Sequence, residues 1–561
     1  MPGRRSRAPQ LALSALLAPV LLLSACGGSG SERPRHVVLI SIDTLRADHL
    51  SCYGYGRPTS PALDALAAEG ARFERCVASS SWTLPSHLTM LTGLPIGAHG
   101  IDHDGLWQRT DADGQPIAPD LRGRFLAETL RAAGYRTEGY YTWKYLEPRF
   151  GFGDGFDHYE RLGHTFLSDP EVGPRVLALE GVARELGDAR TDLEERGSAG
   201  EDVGAELAEV EARLADVAAQ GRALRAEHPH LFGDIKVADE VVDRGIAALE
   251  RAEAPLFLFL HLFDVHDPYV SPAPFGTRFD PRYEGPIDGR RVTASNSPVR
   301  PGMDPRDLEN LVARYDGGIA WVDSQIGRLL ERLDELELAE DTLVVVTSDH
   351  GEEFFEHGGK THRGSVYPEV LSVPLLVRWP ARIAPGTVVS GTAGLVDIVP
   401  TVAAAAGVDH GAPTGGRDLL PLIAAGRVPE RVLTAEVVAE APGGGVLHRS
   451  SVVEGARQRV RDVAANAETW GELDLTADQP IPQRPTDPND ARAAFQRALQ
   501  RLENLRSASP PRGLDASPLT DLEQRELASM GYAGGDGGDA GGDRSTFEGG
   551  VHIDARLDRD E

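Results

Sequence analysis

Cysteine is scarce in this sequence, with three residues among 561. So few cysteines exclude a disulfide-stapled scaffold and a cysteine-rich zinc module. Cys52 and Cys76 lie well inside the chain, where they are either buried free thiols or a disulfide pair. Apolar runs are also limited, because no segment after residue 25 is long and apolar enough to span a bilayer.

Basic residues are too few for a nucleic-acid-binding protein. The chain holds 57 Lys and Arg against 86 Asp and Glu, which gives a formal net charge of −29. DNA and RNA require a basic surface, so this balance excludes them as partners. An anionic small molecule stays compatible if a local group of cations or a metal ion offsets the overall repulsion.

The amino terminus has the pattern of an export signal. Three arginines at positions 4, 5 and 7 precede the apolar run Leu11–Ala25, which is shorter than a membrane span and typical of a signal peptide. The run leads into LSACG, which is similar to a bacterial lipobox, so we expect residues 1–25 to be removed and Cys26 to be lipidated. An ordinary signal peptide with a chance cysteine is the alternative. Residues 26–35 would then tether an exported protein to a membrane of the cell envelope.

Continuous apolar runs predict strands that are buried on both faces of a sheet. These runs are His36–Asp43, Leu256–Phe263, Thr342–Ser348 and Pro374–Trp379. Helical patterns separate them, as in Pro61–Gly70, which has Pro at its start and Gly at its end. The alternation predicts an α/β fold with a doubly wound, mostly parallel central sheet flanked by helices.

Composition divides the chain further. We expect a catalytic domain over residues 36–425, interrupted at about 177–226 by a charged helical hairpin. A lid or a partner-binding element is the alternative role for this insert. A smaller C-terminal region of mixed structure follows over 426–533, with a helix near 491–505. The tail, 534–561, is rich in Gly and Asp and is predicted to be disordered.

Candidate metal ligands follow two of the predicted strands. Asp43 ends the first strand, and Asp349 and His350 come directly after Thr342–Ser348. Ligands bind outside the carboxyl ends of strands in open α/β sheets, so these side chains are expected to meet there. Taken singly, each Asp would more often be a turn or helix-cap residue.

A hydroxyl is expected beside these ligands. In the segment SWTLPSH, Pro85 suits the first turn of a helix, which puts Thr83 at the helix N-terminus. The free N–H groups and the dipole of a helix favour an anion at that end. On its own, Thr83 would be only an N-cap residue.

Several motifs together resemble the sulfatase family of the alkaline phosphatase superfamily over about residues 36–425. The matching segments are VVLISIDTLRADHLSCYGYG (37–56), SSWTLPSHLTMLTGL (80–94), GFGDGFDHYE (151–160), FLFLHLFDVHDPY (257–269) and TSDHGEEFFEHGG (347–359). The late segment LTDLEQRELASMGY (519–532) is similar to a tail of bacterial members. The resemblance implies a metal-dependent esterase in which a metal ion and a nucleophile at a helix terminus hold a sulfate or phosphate group.

On this resemblance Asp43, Asp349 and His350 fall on metal-ligand positions. Thr83 falls on the nucleophile position and would also be a ligand. True sulfatases have a Cys or Ser there, in a C/S-x-P-S-R signature, and oxidise it to formylglycine. A Thr cannot yield that aldehyde, and His87 replaces the Arg. Other superfamily members, including phosphodiesterases and lipid-head-group phosphotransferases, use Thr directly as a metal-bound nucleophile.

The resemblance also implies groups that act on the ester. His266 and His362 align with family histidines near it and are expected to be catalytic. His357 is expected to be structural, and Asp264 is an alternative ligand of a second metal ion together with those two histidines. The weaker candidates for substrate binding all have basic side chains: His87, Lys144 and Lys360.

These patterns favour a metal-dependent hydrolase of sulfuric or phosphoric esters in which Thr83 attacks. One divalent ion is expected, and oxygen ligands joined by an imidazole suit Zn²⁺ or Mn²⁺ better than Ca²⁺, which is the alternative. The expected substrate is a small-molecule or glycan ester, the membrane is reached through the lipid anchor, and the oligomeric state is left open. Two other functions stay open: a Thr-dependent phosphodiesterase or phosphotransferase on envelope substrates, and a catalytically inactive surface binding protein.

Overall fold

The computed structural model of the chain describes residues 33–101, 121–163, 171–198, 201–228, 236–293, 297–440, 446–464, 467–476, 492–498 and 500. The predicted signal segment with its lipidation site Cys26, most of the predicted tether and the predicted tail 534–561 lie outside these residues. Among the described residues, no helix combines the length and the apolar character that crossing a bilayer requires.

The described strands form three sheets of nine, four and two strands. They are β1 (His36–Ile42), β2 (Ala71–Val77), β3 (Arg136–Tyr141), β4 (His158–Arg161), β5 (Leu256–Leu262), β6 (Thr342–Ser348), β7 (Glu353–Phe354), β8 (Lys360–Thr361), β9 (Ser372–Val373), β10 (Leu375–Arg378), β11 (Thr387–Gly394), β12 (Val432–Glu440), β13 (Val446–Glu454), β14 (Arg457–Ala464) and β15 (Ala467–Asp474).

The nine-stranded sheet has the order β11-β2-β10-β6-β1-β5-β3-β4, with β9 beside β2. Its centre is β1, which pairs in parallel with β5 on one side and β6 on the other. Every residue of these three strands is buried, which explains why all three are continuous apolar runs. Ile42 is level with both Leu262 and Ser348, so the three strands end side by side.

The predicted α/β fold with a mostly parallel sheet is confirmed. One interior strand, β10, runs antiparallel to both of its neighbours. The predicted run Pro374–Trp379 supplies β10, which pairs antiparallel with both β6 and β2. No apolar run marks β2, because its sequence, ARFERCV, mixes charged residues with apolar ones. Periodicity alone therefore did not indicate this strand.

Helices cover both faces of the large sheet. They are α1 (Pro61–Glu69), α2 (Thr83–Thr92), α3 (Ile96–His99), α4 (Leu126–Ala132), α5 (Val172–Ser198), α6 (Gly204–Glu227), α7 (Ala238–Glu250), α8 (Pro305–Glu335), α9 (Pro368–Leu371), α10 (Ile398–Ala405) and α11 (Leu420–Ala425). Alternate residues of β1 enter two apolar cores: Val37 and Leu39 join α2, α4 and α10, whereas Val38 and Ile40 join α1, α7 and α8. Cys52 and Cys76 are free thiols.

The C-terminal region contains an antiparallel sheet, β12-β13-β14-β15. Val460 of β14 packs into the core that holds α2, whereas Val452 of β13 packs with Phe495 in a small separate core. Residues 492–498 are helical and lie within the helix predicted at 491–505. The sheet thus closes one side of the main domain.

The charged segment between β4 and α7 forms two helices that contact mainly each other, α5 and α6. Their buried side chains recur at helical spacing, with Val176, Leu186 and Leu193 in α5 and Val217 and Leu224 in α6. This matches the helical hairpin that the sequence predicts at about 177–226.

Candidate active site

The residues after β1 and β6 meet at the carboxyl edge of the sheet. Asp43, Asp349 and His350 are fully buried, and their ligand atoms all lie within 4.8 Å of one another. His350 Nε2 is 3.7 Å from Asp43 Oδ1 and 3.4 Å from Asp349 Oδ2. Because β1 and β6 are adjacent and in register, the two carboxylates are brought together by the sheet itself.

Hydrogen bonds to the backbone orient two of these side chains. His350 Nδ1 donates to the Gly351 carbonyl at 3.0 Å, so the lone pair of Nε2 faces the carboxylates. Asp349 Oδ1 accepts from the His350 N–H at 2.9 Å and from the Thr44 N–H at 3.3 Å. Thr44 adopts a positive φ of 57°, which turns the chain directly after Asp43. The atoms left available to a ligand are therefore Asp349 Oδ2 and His350 Nε2.

Thr83 is the first residue of α2, with Trp82 at the N-cap position. The helix start is confirmed, but the N-cap alternative for Thr83 is wrong, because its side chain makes no cap bond. The hydroxyl lies close enough to Asp43 to lower the pKa of that carboxyl group. Thr83 is buried, so its hydroxyl meets the Asp43 carboxylate away from solvent.

We name Asp43, Thr83, Asp349 and His350 the strand-end cluster. One polar atom of each residue is buried and has no hydrogen-bond partner among the described residues: Asp43 Oδ1, Thr83 Oγ1, Asp349 Oδ2 and His350 Nε2. Unpaired buried polar atoms are costly, and four that converge call for a ligand. Three anionic or neutral oxygens and one imidazole nitrogen fit a divalent metal ion.

The charge of the strand-end cluster supports the same reading. Burial raises the pKa of Asp43 to about 6, although His350 and Lys236 lower it in part. Burial also raises the pKa of Asp349, and the neighbouring Asp43 carboxylate raises it further. Two carboxylates that are costly to ionise side by side would be neutralised by a cation.

His87 lies one turn along α2 from Thr83 and is fixed within the protein. Its Nδ1 donates to the Thr83 carbonyl at 2.9 Å and lies 3.4 Å from Asp349 Oδ2, while Nε2 accepts from the Ser41 hydroxyl at 2.9 Å. Burial lowers the His87 pKa to about 4, so the ring is neutral at physiological pH. These contacts place His87 behind the cluster, against Thr83 and Asp349.

The sequence did not indicate His261, which also contacts the cluster. Its Nε2 donates to Asp43 Oδ2 at 3.2 Å, and its Nδ1 accepts from the Thr142 hydroxyl at 3.2 Å. Burial lowers its pKa to about 4. The only signal was a single polar residue within the apolar run of β5, and such a residue is more often a core histidine.

His266 and His362 lie together on the side of His350. The ring centroids of His266 and His362 are 4.7 Å apart, and those of His350 and His362 are 4.5 Å apart. His266 Nδ1 donates to the Asp267 carbonyl at 2.7 Å, and His362 Nδ1 donates to Glu352 Oε1 at 2.9 Å. Burial holds the pKa of both imidazoles well below the usual range. The structure thus brings both predicted catalytic histidines to the cluster.

The weaker basic candidates occupy different places. Lys144 is buried in a 3₁₀ turn directly after β3, at the same edge of the sheet. Lys360 Nζ donates to the carbonyls of Val292 and Val299 at 2.7 and 2.8 Å, so its ammonium is held by backbone. His357 contacts Glu369 and stacks on Tyr367. These two partners lie outside the strand-end cluster, so the contacts of His357 are structural ones.

Asp264 does not form a second metal group with the two histidines. Its Oδ1 accepts from the Ala238 N–H at 3.2 Å and from Trp321 Nε1 at 2.8 Å, which ties it to the start of α7 and to α8. In the part of the chain that the structure describes, Asp43, Asp349 and His350 are the one group with metal-ligand spacing. The alternative of a second ion at Asp264 therefore has no support from the spacing of these residues.

The described residues form an α/β fold in which buried polar ligands are collected where parallel strands end. The chain belongs to the sulfatase family, whose family model, described as Sulfatase, matches residues 35–408.

Curated relatives cover most of the chain. Steryl-sulfatase of Mus musculus is 28% identical over an alignment 464 residues long, which covers 73% of this chain and 68% of that protein. N-acetylgalactosamine-6-O-sulfatase of Bacteroides thetaiotaomicron is 25% identical over 66% of this chain and 73% of its own length. Among solved structures, the phosphonate monoester hydrolase of Agrobacterium radiobacter aligns with a TM-score of 0.56 at 21% identity, over 88% of this chain and 99% of that one. That last likeness concerns the fold.

Proposed function

We propose that this protein hydrolyses sulfate or phosphate esters by direct attack of the Thr83 hydroxyl. The observation that carries the proposal is the buried Thr83 Oγ1, which has no hydrogen-bond partner assigned among the described residues. It lies beside Asp43, one of the three residues whose ligand atoms are within 4.8 Å of one another. Thr83 also stands at the N-terminus of α2, where backbone N–H groups and the helix dipole favour an anionic group.

The strand-end cluster would hold one divalent metal ion through Asp43, Asp349, His350 and Thr83. When bound, this ion would lower the pKa of the Thr83 hydroxyl and offset the negative charge of the ester. Two carboxylates and one imidazole favour Zn²⁺ or Mn²⁺, with Ca²⁺ as the alternative. Protein purified without chelator and found to contain only Ca²⁺, or no metal, would reject this preference.

Thr83 and the histidines beside the cluster would have different roles in the reaction. Thr83 Oγ1 would lose its proton to solvent water and form a bond to the sulfur or phosphorus atom. The bond from that atom to the alcohol oxygen would break, and the leaving alcohol would take a proton from an imidazole. His266 and His362 are the candidate donors, since their rings lie beside His350. An anionic ester beside the two rings would raise the pKa of both and so favour their protonated forms. Water would then hydrolyse the ester on Thr83 and regenerate the hydroxyl.

The substrate class is a small-molecule or glycan ester. The relatives that act on sterol and amino-sugar sulfates support a sulfate ester. A Thr-dependent phosphodiesterase or phosphotransferase acting on envelope substrates is the second candidate, because Thr83 cannot supply the aldehyde that true sulfatases use. A catalytically inactive binding protein is the third, and the complete set of ligand atoms in the cluster speaks against it.

Side-by-side assays of aryl sulfate, aryl phosphate and aryl phosphodiester, with metal analysis of the same preparation, separate these candidates. Hydrolysis of a monoester, with a sulfated or phosphorylated Thr83 peptide trapped by mass spectrometry, is the expected result. Exclusive cleavage of the diester would favour the second candidate. Binding of an ester with no cleavage in metal-loaded protein would favour the third.

We also propose that Cys26 anchors the protein to a membrane of the cell envelope, since it directly follows an apolar signal segment. Replacing Cys26 with Ala should release the protein from membranes into the soluble fraction. Unchanged partitioning into detergent would overturn this part of the proposal.

A further inference from the structure

Lysine is rare in this chain: of 57 Lys and Arg residues, three are lysines, at positions 144, 236 and 360. Lys144 follows β3 and Lys360 lies in β8, two residues before His362. The third, Lys236, stands just before α7, and its 6% exposure makes it almost completely buried. The proposed reaction leaves Lys236 without a role.

The Lys236 ammonium group binds the turn that follows β5. Its Nζ donates to the carbonyls of Phe263 at 3.4 Å, Asp264 at 3.1 Å and His266. Parallel pairing between β5 and β1 ends at Leu262, so these carbonyls lie beyond the ladder of the sheet. An ammonium group has three N–H donors, one for each carbonyl.

The same turn carries His266. The imidazole stacks on the Phe263 ring with centroids 4.3 Å apart, and the Lys236 ammonium lies 5.3 Å from the centroid of that same ring. Lys236 thus contacts the backbone of His266 and the ring that His266 packs against. Small shifts of this turn would move the imidazole away from the leaving group.

We propose that Lys236 is a positioning residue that fixes the 263–266 turn and thereby aims His266 at the ester. This inference rests on the proposed role of His266 as a proton donor. Lysine suits the task better than arginine, because a compact tetrahedral ammonium matches three converging carbonyls and a planar guanidinium does not. Its positive charge lowers the pKa of Asp43 and Asp267 and also that of His266. The charge therefore favours ionised carboxylates but not a protonated His266, so the role assigned to Lys236 is to position His266 and not to charge it.

Replacing Lys236 with Ala and adding small cations tests the proposal in the full-length protein. We expect kcat to fall about a hundredfold with little change in KM, since a misplaced catalytic group slows the chemical step. n-Propylammonium, which matches the deleted part of the side chain, should restore most of the lost kcat. Tetramethylammonium carries the same charge without N–H donors and should not restore it. Lys236→Arg should also stay slow.

Outcomes that overturn the proposal are equally specific. Lys236→Ala with kcat within about threefold of the wild type would do so, and so would equal rescue by the two cations. If Lys236→Ala is not recovered folded, Lys236→Met keeps the aliphatic stem and should show the same loss of kcat. Wild-type kcat in that variant would again overturn the idea.

A measurement without turnover separates this inference from the proposed function. n-Propylammonium should raise the Tm of Lys236→Ala by binding the vacated site, and should leave the wild type unchanged. If the wild type cleaved no ester at all, the proposed function would fail, and this Tm shift would still support the binding site for an ammonium group. If n-propylammonium left the Tm of Lys236→Ala unchanged, the proposed role of Lys236 would be overturned.

Discussion

The segment after β1 contributes to two buried polar clusters that differ in how completely their atoms are paired. In the first, which we name the Asp316 cluster, the Asp316 carboxylate of α8 accepts from His49 at 2.7 Å, Tyr55 at 2.8 Å and Arg57 at 2.6 Å. In the strand-end cluster, each residue keeps one buried atom without a hydrogen-bond partner among the described residues. The carboxylates of both clusters are buried, so burial does not tell a site from a structural network. The convergence of several unpaired ligand atoms at one place does.

This comparison gives opposite expectations for stability and activity. The Asp316 cluster is complete as it stands and should contribute to stability. The strand-end cluster holds like charges together and leaves polar atoms unpaired, so it should cost stability until a ligand binds. The following five predictions test that contrast.

The largest effect is expected for Thr83→Ala. Turnover should fall by at least about three orders of magnitude, because the nucleophile is lost. The free energy of unfolding should change by less than about 1 kcal/mol, since the hydroxyl has no hydrogen bond to lose. Steady-state assays and urea denaturation measure the two quantities.

Thr92→Ala is the matched control for that change. Thr92 lies at the other end of α2, and its hydroxyl donates to the Leu88 carbonyl at 2.5 Å. Its removal should lower stability by about 1 kcal/mol and leave turnover intact. Near-normal turnover of Thr83→Ala would mean that water attacks the ester directly.

Asp349→Asn should lower both metal content and turnover, the latter by at least about a hundredfold. The chelated protein should nevertheless become more stable, because the substitution removes the repulsion between Asp349 and Asp43 that raises the Asp349 pKa. Elemental analysis and Tm in excess chelator check the two effects. Unchanged metal content would show that the ion binds elsewhere.

In the chelated protein, the free energy of unfolding should depend on pH through the ionisation of Asp43. Burial raises its pKa from the ordinary 3.8 to about 6, so the folded state binds the proton more tightly than the unfolded state. The stability that proton binding at Asp43 adds to the folded state is therefore fully present below pH 3.8. It is lost as pH rises through 6, and the free energy of unfolding falls by up to about 3 kcal/mol.

Asp43→Asn should lack this loss, and the difference between the two unfolding curves reports Asp43 together with its effect on the pKa of Asp349. Adding Zn²⁺ or Mn²⁺ should also remove the loss from the wild type. Identical pH dependence of the two chelated proteins would contradict the prediction.

Asp316→Asn should act in the opposite sense. Removal of the charge weakens its hydrogen bonds to His49 and Arg57, and the free energy of unfolding should fall by about 2 kcal/mol. Turnover measured well below the Tm should stay close to that of the wild type. A variant with intact stability and lost turnover would place Asp316 in the catalytic machinery.

The smallest effect is expected for Thr83→Ser. The hydroxyl survives, but the methyl group that restricts its rotamer is lost, so turnover should fall by roughly tenfold. Stability should stay the same, as for Thr83→Ala. Complete loss of turnover in this variant would indicate that the methyl group, and not only the hydroxyl, is required.

Strands that are buried on both faces can be predicted from the sequence, because all their residues are apolar or nearly so. β6 lies where its apolar run predicts, at Thr342–Ser348, because both faces of the strand are covered. β14, with the sequence RQRVRDVA, is charged and partly buried, from the exposed Arg457 to the buried Arg459, and nothing in its pattern separates it from a loop. Half-buried strands are recognised only once their partner strands are known.

The site divides in the same way. Asp43 and Asp349 could be located from the sequence, since a strand end fixes where the next side chain lies. His261 could not, because its contact with Asp43 depends on the pairing of β5 with β1. Lys236 lies 27 residues before the first carbonyl it binds, and only the folded chain joins them. The catalytic roles of these residues stay predictions.

The register of β1 with β5 and β6 has a consequence for how the gene can change. One residue inserted into β1 would advance Asp43 by about 3.3 Å and turn its side chain to the opposite face of the sheet. Substitutions can be absorbed in these strands, but changes of length cannot. The hairpin of α5 and α6 contacts mainly itself, so paired whole turns could be added or deleted there without disturbing the distance between Asp43 and Asp349.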